Sequence, residues 1–210
     1  MLGSLGARET LADRLPDRIR PLARLAFNTW WSWQPGGDDL WRSIDPERWE
    51  ACGRNPVRLL AEATRPTLAR AALDPSLKKG MDRLLAGLEA DLARPCVPAP
   101  PADAGAPVAF LCAEYGVHAS LPTYAGGLGV LAGDLLKEAS DRCVPLVAVG
   151  LLYRRGSFHQ RLDPSGWQHE AWTGSNTDQL PVERVLAENG VHEAVDVVDA
   201  RQRRIELLGG

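Results

Sequence analysis

At 210 residues the chain can bury a core and build one domain or two small ones. Its 45% hydrophobic and 24% charged residues are ordinary for a globular protein, and a net charge of −3 gives no global pull toward nucleic acid or anionic membrane. Cys52, Cys96, Cys112 and Cys143 show no paired spacing, which argues against a zinc site or a disulfide framework and for a reducing cytosol.

The first twenty-two residues carry acids and arginines where a signal peptide needs an apolar stretch. The longest apolar run, 144–153, is too short to cross a bilayer, so a soluble cytoplasmic protein is expected. Leu22, Leu25, Ala26, Trp30 and Trp33 fall at helical spacing, with Trp31 projecting off that stripe. Asp45-Pro46, Asn55-Pro56 and Asp74-Pro75 each pair a capping residue with a proline, a repeated helix-start signal. The last opens a helix with Leu77, Met81, Leu84, Leu85, Leu88 and Leu92 on one stripe. Residues 1–94 therefore read as a small helical bundle.

Residues 95–107 (RPCVPAPPADAGAP without its first arginine) are proline and alanine with little to bury, and read as an extended linker. Beyond it the period changes. VAFLCA (108–113) is a continuous apolar run, expected as a strand buried on both faces. A glycine stretch and a helix to about residue 142 follow, and a second buried-strand run at 144–152 completes a βαβ unit. Three weaker runs, 181–185, 195–198 and 204–208, read as short strands in an antiparallel excursion. The fold class is α/β: a helical bundle, then the beginning of a Rossmann-like domain over 108–210 that looks incomplete.

TYAGGLGVLAGD (123–134) places Gly126, Gly127, Gly129 and Gly133 at a helix start. The spacing matches neither the GxGxxG dinucleotide fingerprint nor a phosphate-loop NTPase. A helix N-terminus at the carboxyl edge of a parallel sheet offers unpaired N–H groups and partial positive charge, and glycine removes side chains that would hold an oxygen away. Backbone contact with a phosphate or sugar at Gly126 to Gly129 is one reading; a tight turn with close helix–strand packing is the other. Glu114, at the end of the preceding strand, either accepts hydrogen bonds from a ligand's hydroxyls or caps the loop backbone.

With its flanks the stretch resembles a known family. Residues 113–172, from AEYGVHASLPTYAGGLGVLAGD to GWQHEAW, are similar to the N-terminal GT-B glycosyltransferase-type domain of α-glucan phosphorylases, the glycogen, starch and maltodextrin enzymes. LARLAFNTWWSW (22–33) and DPERWEACGRNPVRLL (45–60) resemble the helical extension of that family's bacterial and archaeal branch. The resemblance covers the chain to about residue 180. It implies a transferase of carbohydrate metabolism, cytoplasmic, moving glucose from an α-1,4-glucan to inorganic phosphate to give glucose 1-phosphate, with pyridoxal phosphate held by a lysine. It also implies that Gly126, Gly127 and Leu128 face the phosphate and the transferred glucose through their backbone, and that Glu114 faces the active site.

The cofactor lysine and the basic phosphate-binding residues of that family lie in its C-terminal half. Lys78, Lys79 and Lys137 do not have their context, so no complete catalytic set and no cofactor lysine is expected here, and the chain alone is expected to be inactive, a fragment or a truncated product. The four histidines show no metal spacing. Exposed indoles stack on sugar rings, so a glucan contact at Trp31 or Trp41 is one reading, with core or interdomain packing the competing one. Two other functions compete: a nucleotide-sugar glucan synthase, in which a lysine usually precedes the glycines where this chain has Thr-Tyr-Ala, and a non-catalytic glucan-binding or interaction fragment. Homo-oligomerisation fits the longer form.

Overall fold

The computed structural model describes residues 6–95, 108–153, 155–174, 176–186, 192–198 and 204–209. Its first part is helical: α1 (Ala7–Arg14), α2 (Leu22–Ala26), α3 (Gly37–Ile44), α4 (Pro46–Ala51), α5 (Pro56–Glu62), α6 (Arg65–Leu73) and α7 (Pro75–Ala93). The proline-marked starts work as the sequence suggests. Asp45, Asn55 and Asp74 accept through Oδ1 from the backbone N–H of Arg48 (3.0 Å), Arg58 (3.1 Å) and Ser76 (2.8 Å). Each such cap stabilises its helix by about 1 kcal/mol. Thr64 repeats the device ahead of Arg65-Pro66. Along α7, Leu77, Met81, Leu84 and Leu88 are buried on one stripe.

The stripe expected to run unbroken from Leu22 to Trp33 is interrupted. The helix α2 ends at Ala26, and Asn28 Oδ1 accepts from Trp30 N at 2.9 Å to start a 3₁₀ turn, Thr29–Trp33. Three residues per turn replace 3.6, so positions that the α-helical repeat sends outward are redirected. Trp31, expected off the stripe, is only 1% exposed, against 8% for Trp30. Its ring lies 5.4 Å from Trp41 and 6.1 Å from Trp49, and the latter two stack at 6.4 Å. These three indoles sit in the middle of a cluster that extends from Leu11 to Leu88.

Of the expected linker, residues 96–107 lie outside the described residues. The second part begins with β1 (Val108–Leu111), α8 (Gly127–Asp141) and β2 (Leu146–Leu152). The strands β1 and β2 run parallel, with Val108 opposite Leu146, as the βαβ pattern requires. Next comes a hairpin, β3 (Arg155–Leu162) and β4 (Gln168–Gly174), which forms a separate two-stranded sheet. The three weak runs near the end become β5 (Glu183–Leu186), β6 (His192–Val198) and β7 (Arg204–Gly209). They complete a sheet of order β1-β2-β7-β6-β5, in which β7 is parallel to β2 and the pairs β5–β6 and β6–β7 are antiparallel.

Two expectations need correcting. The strand β1 is not buried on both faces: Val108 is 50% and Leu111 73% exposed. An apolar run records what a strand can bury, not what covers it. Cys143 is disulfide-bonded, where a free buried thiol was expected, while Cys52 and Cys112 are free. The residue is still well shielded, at 8% exposure, so the apolar surroundings were legible and the bond was not.

The helical part buttresses α8 and its neighbouring loops. Arg94 Nη2 donates to Asp141 O at the end of α8 (2.7 Å), and Lys137 Nζ stands 5.5 Å from the centre of the Trp33 ring. Asn55, whose Oδ1 caps α5, donates through Nδ2 to Gln179 O at 2.7 Å. Among the described residues no helix is long and apolar enough to cross a membrane.

Candidate functional site

The chain leaves β1 at the carboxyl end of the parallel strands and closes a loop before α8. Tyr115 pins that loop. It is 2% exposed, its hydroxyl donates to Phe110 O, and burial pushes its phenol up to about 12. Tyr115 N donates to Thr123 O (3.2 Å), and Thr123 Oγ1 returns a bond to Tyr115 O (2.8 Å). The two ends of the loop are thereby drawn together, which sets Glu114 beside the Tyr124-Ala125 backbone.

The four glycines of the stretch divide into two kinds. A Cβ on Gly133 would run into the carbonyl of Gly116, and one on Gly129 would run into Tyr124 and come within 3.2 Å of Glu114 Oε2. Gly116 N donates to Gly129 O at 2.7 Å, so the loop backbone lies directly on α8. These glycines serve packing. Around Gly126 and Gly127 a Cβ would meet nothing within 4 Å, and both have ordinary negative φ or helical geometry. Neither packing nor strain demands glycine there, and the first-turn N–H groups of a helix lie outside its own hydrogen-bond ladder.

Glu114 lies across this helix start. Its Oε2 accepts from Ala125 N at 3.3 Å, which is the capping role foreseen as the alternative to ligand binding. A carboxylate at a helix N-terminus is also favoured by the macrodipole. The same residue lines a cavity of about 390 Å³ with Tyr124, Ala125, Tyr153, Phe158 and Trp172. A carboxylate acceptor among aromatic faces suits a polyhydroxylated ligand, whose C–H faces stack while its hydroxyls donate. Leu128, 61% exposed, does not line this cavity, so only its backbone is available to a ligand at the helix start.

Sequence reading missed the aromatic wall. Tyr153, Phe158 and Trp172 come from the end of β2 and from the hairpin. The usable signal was Asp163-Pro164-Ser165-Gly166. Asp163 Oδ1 accepts from Ser165 N and Trp167 N, each at 2.9 Å, and Gly166 has φ +88°. Bonds from Ser165, His169 and the Trp167 backbone hold the Asp163 carboxyl at about 2.

Behind the loop, His118 meets the helical part. Its ring stands edge-on to Trp31 at 5.0 Å, and its Nδ1 accepts from Ser120 N at 3.1 Å and lies 2.8 Å from Ser120 Oγ. The acceptor role fixes the neutral tautomer with hydrogen on Nε2. Burial, followed by nearby Lys137, pulls its pKa down to about 4. The foreseen glucan contact at Trp31 or Trp41 is ruled out by this packing, since the two are 1% and 0% exposed.

An amino-terminal helical part thus leads into an α/β unit whose glycine-led helix starts beside a carboxylate. Residues 15–121 match the family described as Protein of unknown function (DUF3417), and the chain belongs to it. It is 42% identical over 197 residues to a glycogen phosphorylase of Mycobacterium tuberculosis, covering 90% of this chain and 23% of that protein. A maltodextrin phosphorylase of Thermococcus litoralis is 36% identical over 191 residues, covering 89% of this chain and 23% of the relative. A glycogen phosphorylase of Aquifex aeolicus is 36% identical over 177 residues, or 80% and 24%. The chain thus corresponds to an N-terminal portion of these phosphorylases and spans under a quarter of their length.

Proposed function

We propose that the chain is the N-terminal portion of an α-1,4-glucan phosphorylase, a helical extension (1–94), a linker (95–107) and the first part of a Rossmann-like GT-B domain (108–210). In that reading the bare backbone at Gly126, Gly127 and Leu128 receives phosphate or the phosphate of glucose 1-phosphate, and Glu114 receives hydroxyls of the transferred glucose. The observation that carries it is the division of the glycines: two are required by packing, and the two that directly follow the cavity-lining Ala125 are not. The family's similarity to glycogen and maltodextrin phosphorylases supplies the substrate class. Such chemistry places the protein in the cytoplasm, where glucan and phosphate meet.

The residues present do not fit the family's pyridoxal phosphate. Lys78 pairs with Asp82 at 2.7 Å, Lys79 lies on α7, and Lys137 lies against Trp33; none of them lines the Glu114 cavity. The chain by itself is inactive in this reading. The exposed row Leu128, Leu131 and Leu135 on α8 is where the rest of a longer enzyme would pack.

The test uses the purified chain. Incubation with glycogen and phosphate releases no glucose 1-phosphate, whereas saturation-transfer NMR detects weak binding of glucose 1-phosphate. Gly127→Val abolishes that binding without changing the melting temperature by more than a few degrees. Turnover by the chain, or undiminished binding by the variant, contradicts the reading.

A further inference from the structure

We propose that the seam between the helical part and the α/β part is a binding site for a short dicarboxylate, distinct from the Glu114 cavity and independent of the phosphorylase reading. A cavity of about 360 Å³ lies in that seam. Cys52, Asn55 and Arg58 belong to its helical wall, and Ser120, His159 and Asn176 to the α/β wall. The bond from Asn55 Nδ2 to Gln179 O ties the two walls together. Pro122, Tyr124 and Gly156 line both this cavity and the one at Glu114, and form the border between them. Neighbouring side chains on a strand point to opposite faces, so Phe158 serves the Glu114 cavity and His159 the seam.

The two cavities differ in charge. Glu114 lines the first, whereas among the described residues lining the seam there is no carboxylate, and Arg58 supplies a cation. Arg58 Nε donates to Glu62 Oε1 at 3.1 Å, which commits one of its guanidinium N–H groups. Glu62 Oε2 accepts from Arg48 Nη1 at 2.9 Å, so two guanidinium groups share one carboxylate and a positive charge remains. On the other wall, Asn176 Oδ1 accepts from Asp178 N at 3.1 Å, which leaves the amide N–H groups as donors to the seam. The His159 imidazole has an N–H in either neutral tautomer. The remaining polar groups are engaged within the walls. Ser120 Oγ lies 2.8 Å from His118 Nδ1, and the buried Cys52 Sγ lies 3.4 Å from both Trp49 O and Asn55 O.

Donors thus stand on both walls, while Pro122, Tyr124 and Leu180 add apolar surface. A molecule with a carboxylate at each end of a short hydrocarbon chain matches that lining. The guanidinium fork takes one carboxylate, and the imidazole and amide N–H groups take the other. The volume is near the lower end of ligand cavities, which run from about 300 to 1,000 Å³, and suits a small metabolite. A neutral sugar fits less well, because it brings no charge to Arg58 and finds no carboxylate in the lining to accept its hydroxyls.

Isothermal titration of the chain with glutarate tests this, with valerate as the ligand of equal carbon number and a single carboxylate. The expected result is that glutarate binds roughly ten- to hundredfold tighter than valerate, as one further charge-assisted contact provides. Arg58→Gln and His159→Gln each weaken glutarate binding by about tenfold or more. Neither residue is buried, so both variants keep the melting temperature of the parent within a few degrees. Gly127→Val leaves glutarate binding unchanged. If glutarate fails to bind, or binds no tighter than valerate, the proposal is overturned. Inorganic phosphate binding as tightly as glutarate would mean a site for one anion, and would also overturn it. Glutarate binding that is lost in Gly127→Val and kept in Arg58→Gln would place the anion at the start of α8, and the seam proposal would be wrong.

Discussion

The two parts of the molecule spend their apolar residues differently. The helical part closes one cluster from Leu11 to Leu88 in which Ile19, Leu22, Leu25, Trp41, Trp49, Leu59 and Leu60 are fully enclosed. The α/β part encloses Tyr115, Leu121, Ala132, Ala148, Leu180 and Val182, and leaves Val108, Leu111, Leu128, Leu131, Leu162 and Trp172 exposed. Among the described residues of the helical part, Leu73 is the exposed large apolar side chain. The better-packed half carries stability, and the half with unsatisfied apolar surface carries the candidate site. They meet where Trp31 touches His118 and where α8 rests on Trp33 and Arg94.

Substitution in the helical core tests that contrast most strongly. Trp41→Ala should cost about 3–5 kcal/mol, the usual penalty for deleting a buried indole, read as a shift in the urea midpoint. Leu131→Ser on the exposed face of α8 should stay within about 0.5 kcal/mol of the parent. Equal losses from the two would erase the distinction between the regions.

The junction carries an acid sensitivity. His118 titrates near 4 in the folded chain and near 6.5 when unfolded. Both states are neutral at pH 7, so the residue adds nothing there. As pH falls below about 6.5 the unfolded chain takes the proton first, and stability declines until about pH 4, by up to about 3 kcal/mol. His118→Gln should flatten that decline in urea titrations at successive pH values. A slope unaltered by the substitution would place the sensitivity elsewhere.

Smaller effects separate the glycines and the caps. Gly133→Ala should destabilise by about 1–3 kcal/mol, because backbone of the facing loop cannot yield as a side-chain tip can. Gly127→Ala should be neutral within about 0.5 kcal/mol, having space and no positive φ. Asn55→Ala should cost about 1 kcal/mol from its cap, with a further loss from the bond to Gln179 O that spans the two regions. Thermal denaturation of the three variants side by side orders them.

Local chemistry was the legible part of this chain. Asp45, Asn55 and Asp74 announce helices because cap, proline and apolar period agree within a few residues. The βαβ unit was legible from two apolar runs that flank a glycine-led helix, and the tail strands emerged from three weak runs. Relations between segments were not. Trp31 follows from a 3₁₀ turn started by Asn28, which an α-helical wheel does not anticipate. The exposure of β1 depends on what lies against it, and apolarity of the strand cannot supply that. At the site, Glu114 and the glycine pair were legible from their place at a sheet edge. The split of Gly126 and Gly127 from Gly129 and Gly133 needed the path of the Gly116 backbone. Tyr153, Phe158 and Trp172 were lost because the hairpin's mixed His, Gln and Arg positions obscure its alternation.

The central claim is that Gly126 to Leu128 present backbone to an anionic sugar. Amide chemical shifts of the ¹⁵N-labelled chain, followed while glucose 1-phosphate is added, test it most directly. The account predicts saturable shifts concentrated at the Gly127, Leu128 and Ala125 amides, with Gly133 and the helical core unmoved. Saturation with no movement at Gly127 and Leu128, or shifts gathered around the buried Trp41 cluster, would contradict it.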